Sequence, residues 1–288
     1  SALKAKQWKG LGPLLREMGF SDRQRVLINL KSLHRQEDMR YALPKLLSFC
    51  AHSPDPDLAF NGFESLASAP GSVLGSLLRD DRALGTLATA FALSPYFIAL
   101  LVRNPHSLRW LFCEGGINVR REGGDFLTAL RAFVEPMQDF ADLCAKLRRF
   151  KEREVLRIGL RDLGGMAPFQ EVAQELSDLA SACLELACRY CYGLLVGKYG
   201  RPLVREPGER MDACGFVILG MGKLGGRELN FSSDIDLQYL HASDEEENEA
   251  GPAVDGPNRI TGEAFFVKLA ELITRAMGEI TEEGFVFR

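Results

Sequence analysis

Two aspartates near the end of the sequence, Asp234 and Asp236, have the residue type and spacing best suited to chemistry. They stand two positions apart at the start of an alternating stretch, 235–240, that predicts a β-strand, so both side chains should point to one face. Adjacent carboxylates repel each other, and a divalent cation relieves the repulsion; Mg²⁺ takes carboxylate and phosphate oxygens together. The pair therefore predicts a magnesium site suited to in-line displacement at phosphorus.

A glycine-rich segment directly precedes the aspartates. The apolar run 215–220 predicts a buried strand, and the glycines that follow it let backbone N–H groups approach an anion. The segment matches no Walker A loop, and because the aspartates interrupt any long helix it is a poor dinucleotide fingerprint. An isolated Asp-x-Asp pair would be typical of a solvated strand edge, but this context favours a phosphate or triphosphate site. The residues predicted to hold phosphate oxygens are Gly222, Lys223, Arg227, Ser232 and Ser233.

Four arginines recur at every fourth position, and this spacing predicts a row along one side of a helix. They are Arg149, Arg153, Arg157 and Arg161. One interpretation is a solvated face laced with salt bridges to nearby Glu152, Glu154 and Asp162. The other is an anion-steering wall that faces the active site, with Arg149, Arg153 and Arg157 as its members.

The elements around these residues predict an α+β protein that is predominantly helical. Apolar residues return every three or four positions from 14 to 134, and again over 126–163, 171–199 and 259–278. The strands 215–220 and 235–240 lie late in the chain, and a third begins at Gly284. We therefore predict a helical region, 1–135, followed by a small mixed-sheet domain, 136–288. The acidic segment 244–249 reads as a solvated loop, with partner contact as an alternative.

Composition narrows the function classes. A net charge of −4 argues against a protein that binds nucleic acid over its whole surface. No apolar run reaches the roughly 20 residues that cross a bilayer, so no membrane partner is expected. The first ten residues lack the apolar core of a secretory signal, which favours a cytoplasmic location. Seven scattered cysteines predict reduced thiols, and Cys188 and Cys191, although spaced C-x-x-C, have no second pair to complete a zinc site.

The segment 220–237 reads G-M-G-K-L-G-G-R-E-L-N-F-S-S-D-I-D-L, with Gly222 and Asp234 12 positions apart. This pattern resembles the nucleotidyltransferase superfamily and, more narrowly, the glutamine synthetase adenylyltransferases, which carry two such domains. The stretches 94–105, 147–163 and 175–180 also resemble that family. The resemblance covers about residues 85–288 and implies a polymerase-β-like core.

The resemblance further implies an activity. The N-terminal half of these enzymes removes AMP from a tyrosine of glutamine synthetase by phosphorolysis, releasing ADP, and Asn230 together with the helical lead-in favours that half. It implies Mg²⁺ on Asp234 and Asp236, and phosphate on Gly222, Lys223 and Ser233. The implied partners are adenylylated glutamine synthetase, phosphate, ADP or ATP, and a PII signalling protein.

A third carboxylate usually completes sites of this superfamily. The family pattern continues with Val-Asp after Arg288, and Glu282 and Glu283 are the nearest carboxylates before it. We therefore expect these 288 residues alone to be weakly active or inactive. Two alternatives stay open: adenylyl transfer from ATP to another hydroxyl, and a non-catalytic regulatory binding module.

Overall fold

The computed structural model describes residues 10–206, 210–213, 215–241, 256, 258, 260–281 and 284–288. Helices dominate these residues and short strand pairs accompany them, which confirms the predicted α+β class. The chain divides into two compact units. The first comprises the residues up to Arg120 together with Leu156–Pro168, and the second comprises Arg121–Val155 together with Phe169–Arg288.

The first unit is built from short helices around one apolar core. Aspartates begin three of its helices, because the side chains of Asp22, Asp55 and Asp80 each accept a backbone N–H of the first turn. Phe63 and Phe91 meet edge to face in the core, with ring centroids 5.2 Å apart. The helices are α1 (Leu11–Glu17), α2 (Arg23–His34), α3 (Glu37–Arg40), α4 (Leu43–Ala51), α5 (Pro56–Ser68), α6 (Leu74–Leu77), α7 (Asp81–Leu93) and α8 (Pro95–Arg103), followed by a π-helical turn at Arg109–Cys113 and a 3₁₀ turn at Gly116–Asn118.

Long helices form the framework of the second unit. They are α9 (Gly124–Val134), α10 (Phe140–Leu163), which belongs to this unit as far as Val155, α11 (Phe169–Tyr199) and, later in the chain, α13 (Gly262–Gly278). Both α9 and α13 pack on α11. The helical pattern predicted over 126–163 is two helices, because Pro136 lies between them and has no N–H to continue the ladder.

The described strands pair only with their neighbours in sequence. They are β1 (Leu203–Glu206), β2 (Arg210–Ala213), β3 (Phe216–Gly220) and β4 (Leu237–His241), and β1 pairs with β2 as β3 pairs with β4. Both pairs are antiparallel, so the mixed sheet of a nucleotidyltransferase core stays a prediction. One face of the second pair packs on α13, where Phe216 stacks on Phe266 with centroids 5.4 Å apart.

The remaining structural predictions concern the domain boundary, the acidic residues near the end of the chain and the third strand. The domain boundary between 135 and 136 stays a prediction. The chain passes between the two compact units after Arg120, after Val155 within α10, and after Pro168. The acidic segment 244–249 and both Glu282 and Glu283 lie outside the described residues. Of the described residues 284–288, Gly284 forms a single bridge with Thr281 and the others belong to no strand.

The cysteines that the structure describes are free thiols. Cys188 and Cys191 lie on α11, where burial raises their pKa to about 11 and about 12. Within the described ranges no three potential metal ligands lie together as a cluster.

Length and composition alone would allow α11 to cross a membrane, and the bent pair α7–α8 would pass the same test if counted as one span. Half of the apolar stretch of α11 is buried inside the protein. Such burial is the arrangement of a core helix.

Candidate functional site

A tight glycine turn connects β3 to the short helix α12 (Gly222–Gly225). Gly222 has φ +52°, which favours glycine, and a Cβ on it would lie 3.4 Å from Oδ2 of Asp236. A Cβ on Gly225 would lie 2.5 Å from the carbonyl oxygen of Gly220, closer than real contacts allow. Gly222 is therefore favoured by its backbone conformation, and Gly225 is required by the close approach of the Gly220 carbonyl.

The acidic pair lies immediately before β4 rather than on it. The strand begins at Leu237, so the predicted start at 235 is two residues early. The Met221 N–H donates to the carbonyl of Asp236 at 2.8 Å and extends the contact between the two chain segments. This bond, with the approach of Gly222, places the glycine turn directly against Asp236.

Both carboxylates are exposed, and Asp234 has 68% of its side chain accessible. The Nε of Arg288 lies 3.8 Å from Oδ1 of Asp234, and the carbonyl of Arg288 accepts the Ile235 N–H. Mg²⁺ is commonly held by one or two carboxylates, with water and substrate phosphate completing its octahedron. Two open carboxylates beside a glycine turn fit that requirement.

Asn230 organises the loop that leads into the aspartates. Its Oδ1 accepts the Ser232 N–H at 3.1 Å, the Ser232 hydroxyl at 3.2 Å and the Ser233 hydroxyl at 2.8 Å. The Ser233 Oγ accepts the Asn230 N–H at 3.0 Å. Both predicted serines thus shape this loop in the structure, and their contact with phosphate stays a prediction.

The two basic residues of the turn differ in their surroundings. Lys223 is exposed on α12, and its carbonyl accepts the Glu228 N–H at 2.7 Å. Arg227 is the only non-glycine residue of the described chain with positive φ, at +58°. Its guanidinium forms an ion pair with Asp178 of α11, a side chain that is only 4% accessible.

The arginine row of α10 does not share one environment. Arg149 is exposed, and the guanidinium of Arg153 lies 5.5 Å from the ring centre of Phe133. Arg157 and Arg161 are buried and donate to the carbonyls of Val119 at 2.6 Å and Ile117 at 3.1 Å. A solvated face is therefore wrong for the last two, while anion steering by the row stays a prediction.

Sequence reasoning missed the neighbouring position, Arg148. It is buried and donates from Nε to the carbonyl of Gly284 at 3.0 Å and from Nη2 to the carbonyl of Glu279 at 2.6 Å. These carbonyls belong to the turn before the segment 285–288 that reaches Asp234. Lys151, one helical turn later, lies 5.4 Å from the ring centre of Phe285, and burial lowers its pKa.

Ser177 and Asp178 were also missed as parts of the site. They are buried polar residues within an apolar stretch of α11, and a charged residue at such a position is normally paired. The sequence pattern therefore indicates that Asp178 is paired, but it does not identify Arg227 as the partner.

Comparison with known proteins assigns the chain to a family. The sequence model of the glutamate-ammonia ligase adenylyltransferase family matches residues 84–288, which include the glycine turn and both aspartates.

Several curated relatives share one name, bifunctional glutamine synthetase adenylyltransferase/adenylyl-removing enzyme. The relative from Thioalkalivibrio sulfidiphilus is 36% identical over 82% of this chain and 22% of its own length. The relative from Nitrosococcus oceani is 35% identical over 72% of this chain and 20% of its own length. The relative from Pseudomonas aeruginosa is 36% identical over 68% of this chain and 19% of its own length. The chain spans about a fifth of the length of these relatives.

Proposed function

This chain belongs to the glutamate-ammonia ligase adenylyltransferase family, and from that premise we propose that it carries a site for removing AMP from glutamine synthetase. In this reaction phosphate displaces the tyrosine oxygen from the AMP phosphorus in a Mg²⁺-dependent step, and ADP and unmodified tyrosine are the products. The observation that carries the proposal is that the glycine turn lies against Asp236. A Cβ added to Gly222 would lie 3.4 Å from the Asp236 carboxylate.

The chemistry needs a bond exchange at one phosphorus. An oxygen of inorganic phosphate attacks the AMP phosphorus, the bond to the tyrosine oxygen breaks, and the proton carried by phosphate passes to the leaving tyrosine. Mg²⁺, when bound, would neutralise charge on the phosphate oxygens. Asp234 and Asp236 would hold the cation, while the side chain of Lys223 and the backbone N–H of Gly222 would orient the oxygens of the attacking and transferred groups.

Transfer of AMP from ATP to a hydroxyl is the second candidate. The relatives' name includes both adenylyl transfer and adenylyl removal, and the same carboxylates and glycine turn would serve either direction. Asn230 and the helical lead-in favour removal. These reactions require adenylylated glutamine synthetase, phosphate, and ADP or ATP. We propose that they take place in the cytoplasm. The family resemblance adds a PII signalling protein as regulator.

Product analysis tests the proposal and separates the two directions. With adenylylated glutamine synthetase, Mg²⁺ and phosphate, we expect slow ADP formation, in keeping with the weak activity expected of these 288 residues, and no ADP when phosphate is omitted. With ATP and unmodified glutamine synthetase, the transfer reaction would instead release pyrophosphate. A result with pyrophosphate and no phosphate-dependent ADP would favour the second candidate.

Asn substitutions test the site assignment. Asp234→Asn and Asp236→Asn should each lower ADP formation by about 10²–10³-fold, the loss typical of removing one electrostatic contact from a transition state. Each should also weaken Mn²⁺ binding measured by electron paramagnetic resonance, a readout that needs no turnover. Asp142→Asn, the same chemical change on α10, is the matched control and should leave both unchanged. Wild-type Mn²⁺ binding by both site variants would contradict the assignment.

A further inference from the structure

Two adjacent buried polar residues of α11 reach the chain that follows the glycine turn. Ser177 and Asp178 are 1% and 3% exposed. The Ser177 Oγ accepts the Leu229 N–H at 3.2 Å, and Asp178 pairs with the guanidinium of Arg227. The segment 227–229 is therefore tied to the helix at both ends.

The same segment closes back onto α12 through its backbone. The Arg227 N–H donates to the carbonyl of Leu224 at 3.1 Å, and the Glu228 N–H donates to that of Lys223 at 2.7 Å. One residue earlier, the Gly226 N–H donates to the carbonyl of Gly222 at 3.0 Å. A shift of the tied segment would therefore move the short helix that begins at Gly222.

Arg227 occupies a conformation that disfavours it. Its φ of +58° lies in the left-handed region, which a residue with a Cβ adopts at a cost that glycine does not pay. The two residues before it are glycines, yet the left-handed position that follows them is occupied by arginine. The guanidinium contact with Asp178 offsets that strain.

The contacts of Asp178 indicate its kind of role. Besides the Arg227 guanidinium, its oxygens accept the Gly123 N–H at 3.0 Å and the Gln174 side-chain amide at 3.1 Å. Both oxygens of this buried carboxylate accept protein donors, which occupy three of its about four lone-pair sites. It is suited to holding structure in place.

We propose that Asp178 is a positioning residue: by holding Arg227 in the left-handed conformation, it keeps the glycine turn against Asp236. This inference rests on the proposed function for its catalytic consequence, but its structural part stands alone. Arg227 was also predicted to bind phosphate directly, and the two roles give different kinetics.

Amide hydrogen exchange tests the structural part on the protein without substrate. In Asp178→Asn the amides of Gly226, Arg227, Glu228 and Leu229 should exchange at least about tenfold faster than in the wild type. Arg227→Gly should do the same, because it relieves the strain yet cuts the tether. Asp142→Asn removes the ion pair of Asp142 with Lys146 on α10, 2.9 Å long, and is the matched control that should leave these amides unchanged.

Kinetics of phosphate-dependent ADP formation test the catalytic part. A positioning role predicts that Asp178→Asn and Arg227→Gly each lower kcat by about tenfold or more, that the KM for phosphate changes little, and that the double variant is no worse than either single one. If Arg227 instead binds phosphate directly, Arg227→Gly should raise the KM for phosphate and Asp178→Asn should not.

The outcomes separate the two proposals. Wild-type exchange at 226–229 in Asp178→Asn would overturn the positioning role, whatever the enzyme does. Faster exchange together with pyrophosphate release and no phosphate-dependent ADP from the wild type would leave the positioning role standing and replace the proposed function with adenylyl transfer. If Asp178→Asn fails to fold, Ser177→Ala removes the bond from the Leu229 N–H, along with the bond from the Ser177 hydroxyl to the Ala173 carbonyl within α11, and should speed exchange at the Leu229 amide. Unchanged exchange there would overturn the tether.

Discussion

At Gly225 the chain has no room for a side chain, and this single position shows how the glycine turn is specified. Any Cβ there would lie 2.5 Å from the carbonyl oxygen of Gly220 at the end of β3. Gly226, the next residue, has an ordinary φ of −78°, and its nearest neighbours would be 3.5 Å or more from a Cβ. Gly225 therefore has no space for a side chain, whereas Gly226 has space for a methyl group.

This difference gives a matched pair of alanine variants. Gly225→Ala should lower the free energy of unfolding by about 1–3 kcal/mol, the usual cost of overpacking, and should weaken Mn²⁺ binding because the turn is displaced from Asp236. Gly226→Ala should change the free energy of unfolding by no more than about 0.5 kcal/mol. Urea denaturation and Mn²⁺ titration check both. Equal effects of the two variants would show that the contact with Gly220 does not restrict the turn.

At the scale of elements, the pattern of apolar residues predicted where helices and strands lie better than which polar residues hold them. The helices at 171–199 and 259–278 and the strand at 215–220 are found within a few residues of their predicted bounds. Residues 148 and 149 of α10 are both arginine, and periodicity alone favoured Arg149. Only the packed structure shows Arg148 buried, because its partners are carbonyls more than a hundred positions away.

Methionine substitutions compare these neighbours on one helix. Arg148→Met should lower the free energy of unfolding by about 2–4 kcal/mol, because it leaves the carbonyls of Glu279 and Gly284 without their buried donor. Arg149→Met, at an exposed position, should have an effect within about 0.5 kcal/mol. Urea denaturation measures both, and hydrogen exchange should show the loss of order in Arg148→Met concentrated after Gly278. A larger loss of unfolding free energy in Arg149→Met than in Arg148→Met would show that Arg149, and not Arg148, is the arginine that stabilises the fold.

At the scale of the whole molecule, class and family could be predicted from the sequence, while the division into units could not. Motif residues are adjacent in sequence, so the glycine turn and the aspartates predicted the family without any tertiary information. The units are defined by contacts, and α10 contributes residues to each of them, changing at Val155 and Leu156 without any break in its helical pattern. A local pattern cannot show which core a helical residue joins.

The burial of α11 gives a final prediction about these 288 residues: they should not associate with lipid bilayers, although this helix is apolar and long enough to span one. The helix carries Glu175 and Asp178 as buried residues whose donors include the Arg121 and Gly123 N–H groups, at 2.8 Å and 3.0 Å. Moving the helix into hydrocarbon would remove those donors, at about 3 kcal/mol or more for each carboxylate. The net charge of −4 also opposes binding to anionic lipid. In a flotation experiment with phosphatidylcholine vesicles, with and without phosphatidylglycerol, the protein should stay at the bottom of the gradient; flotation with either vesicle would show that α11 leaves its core.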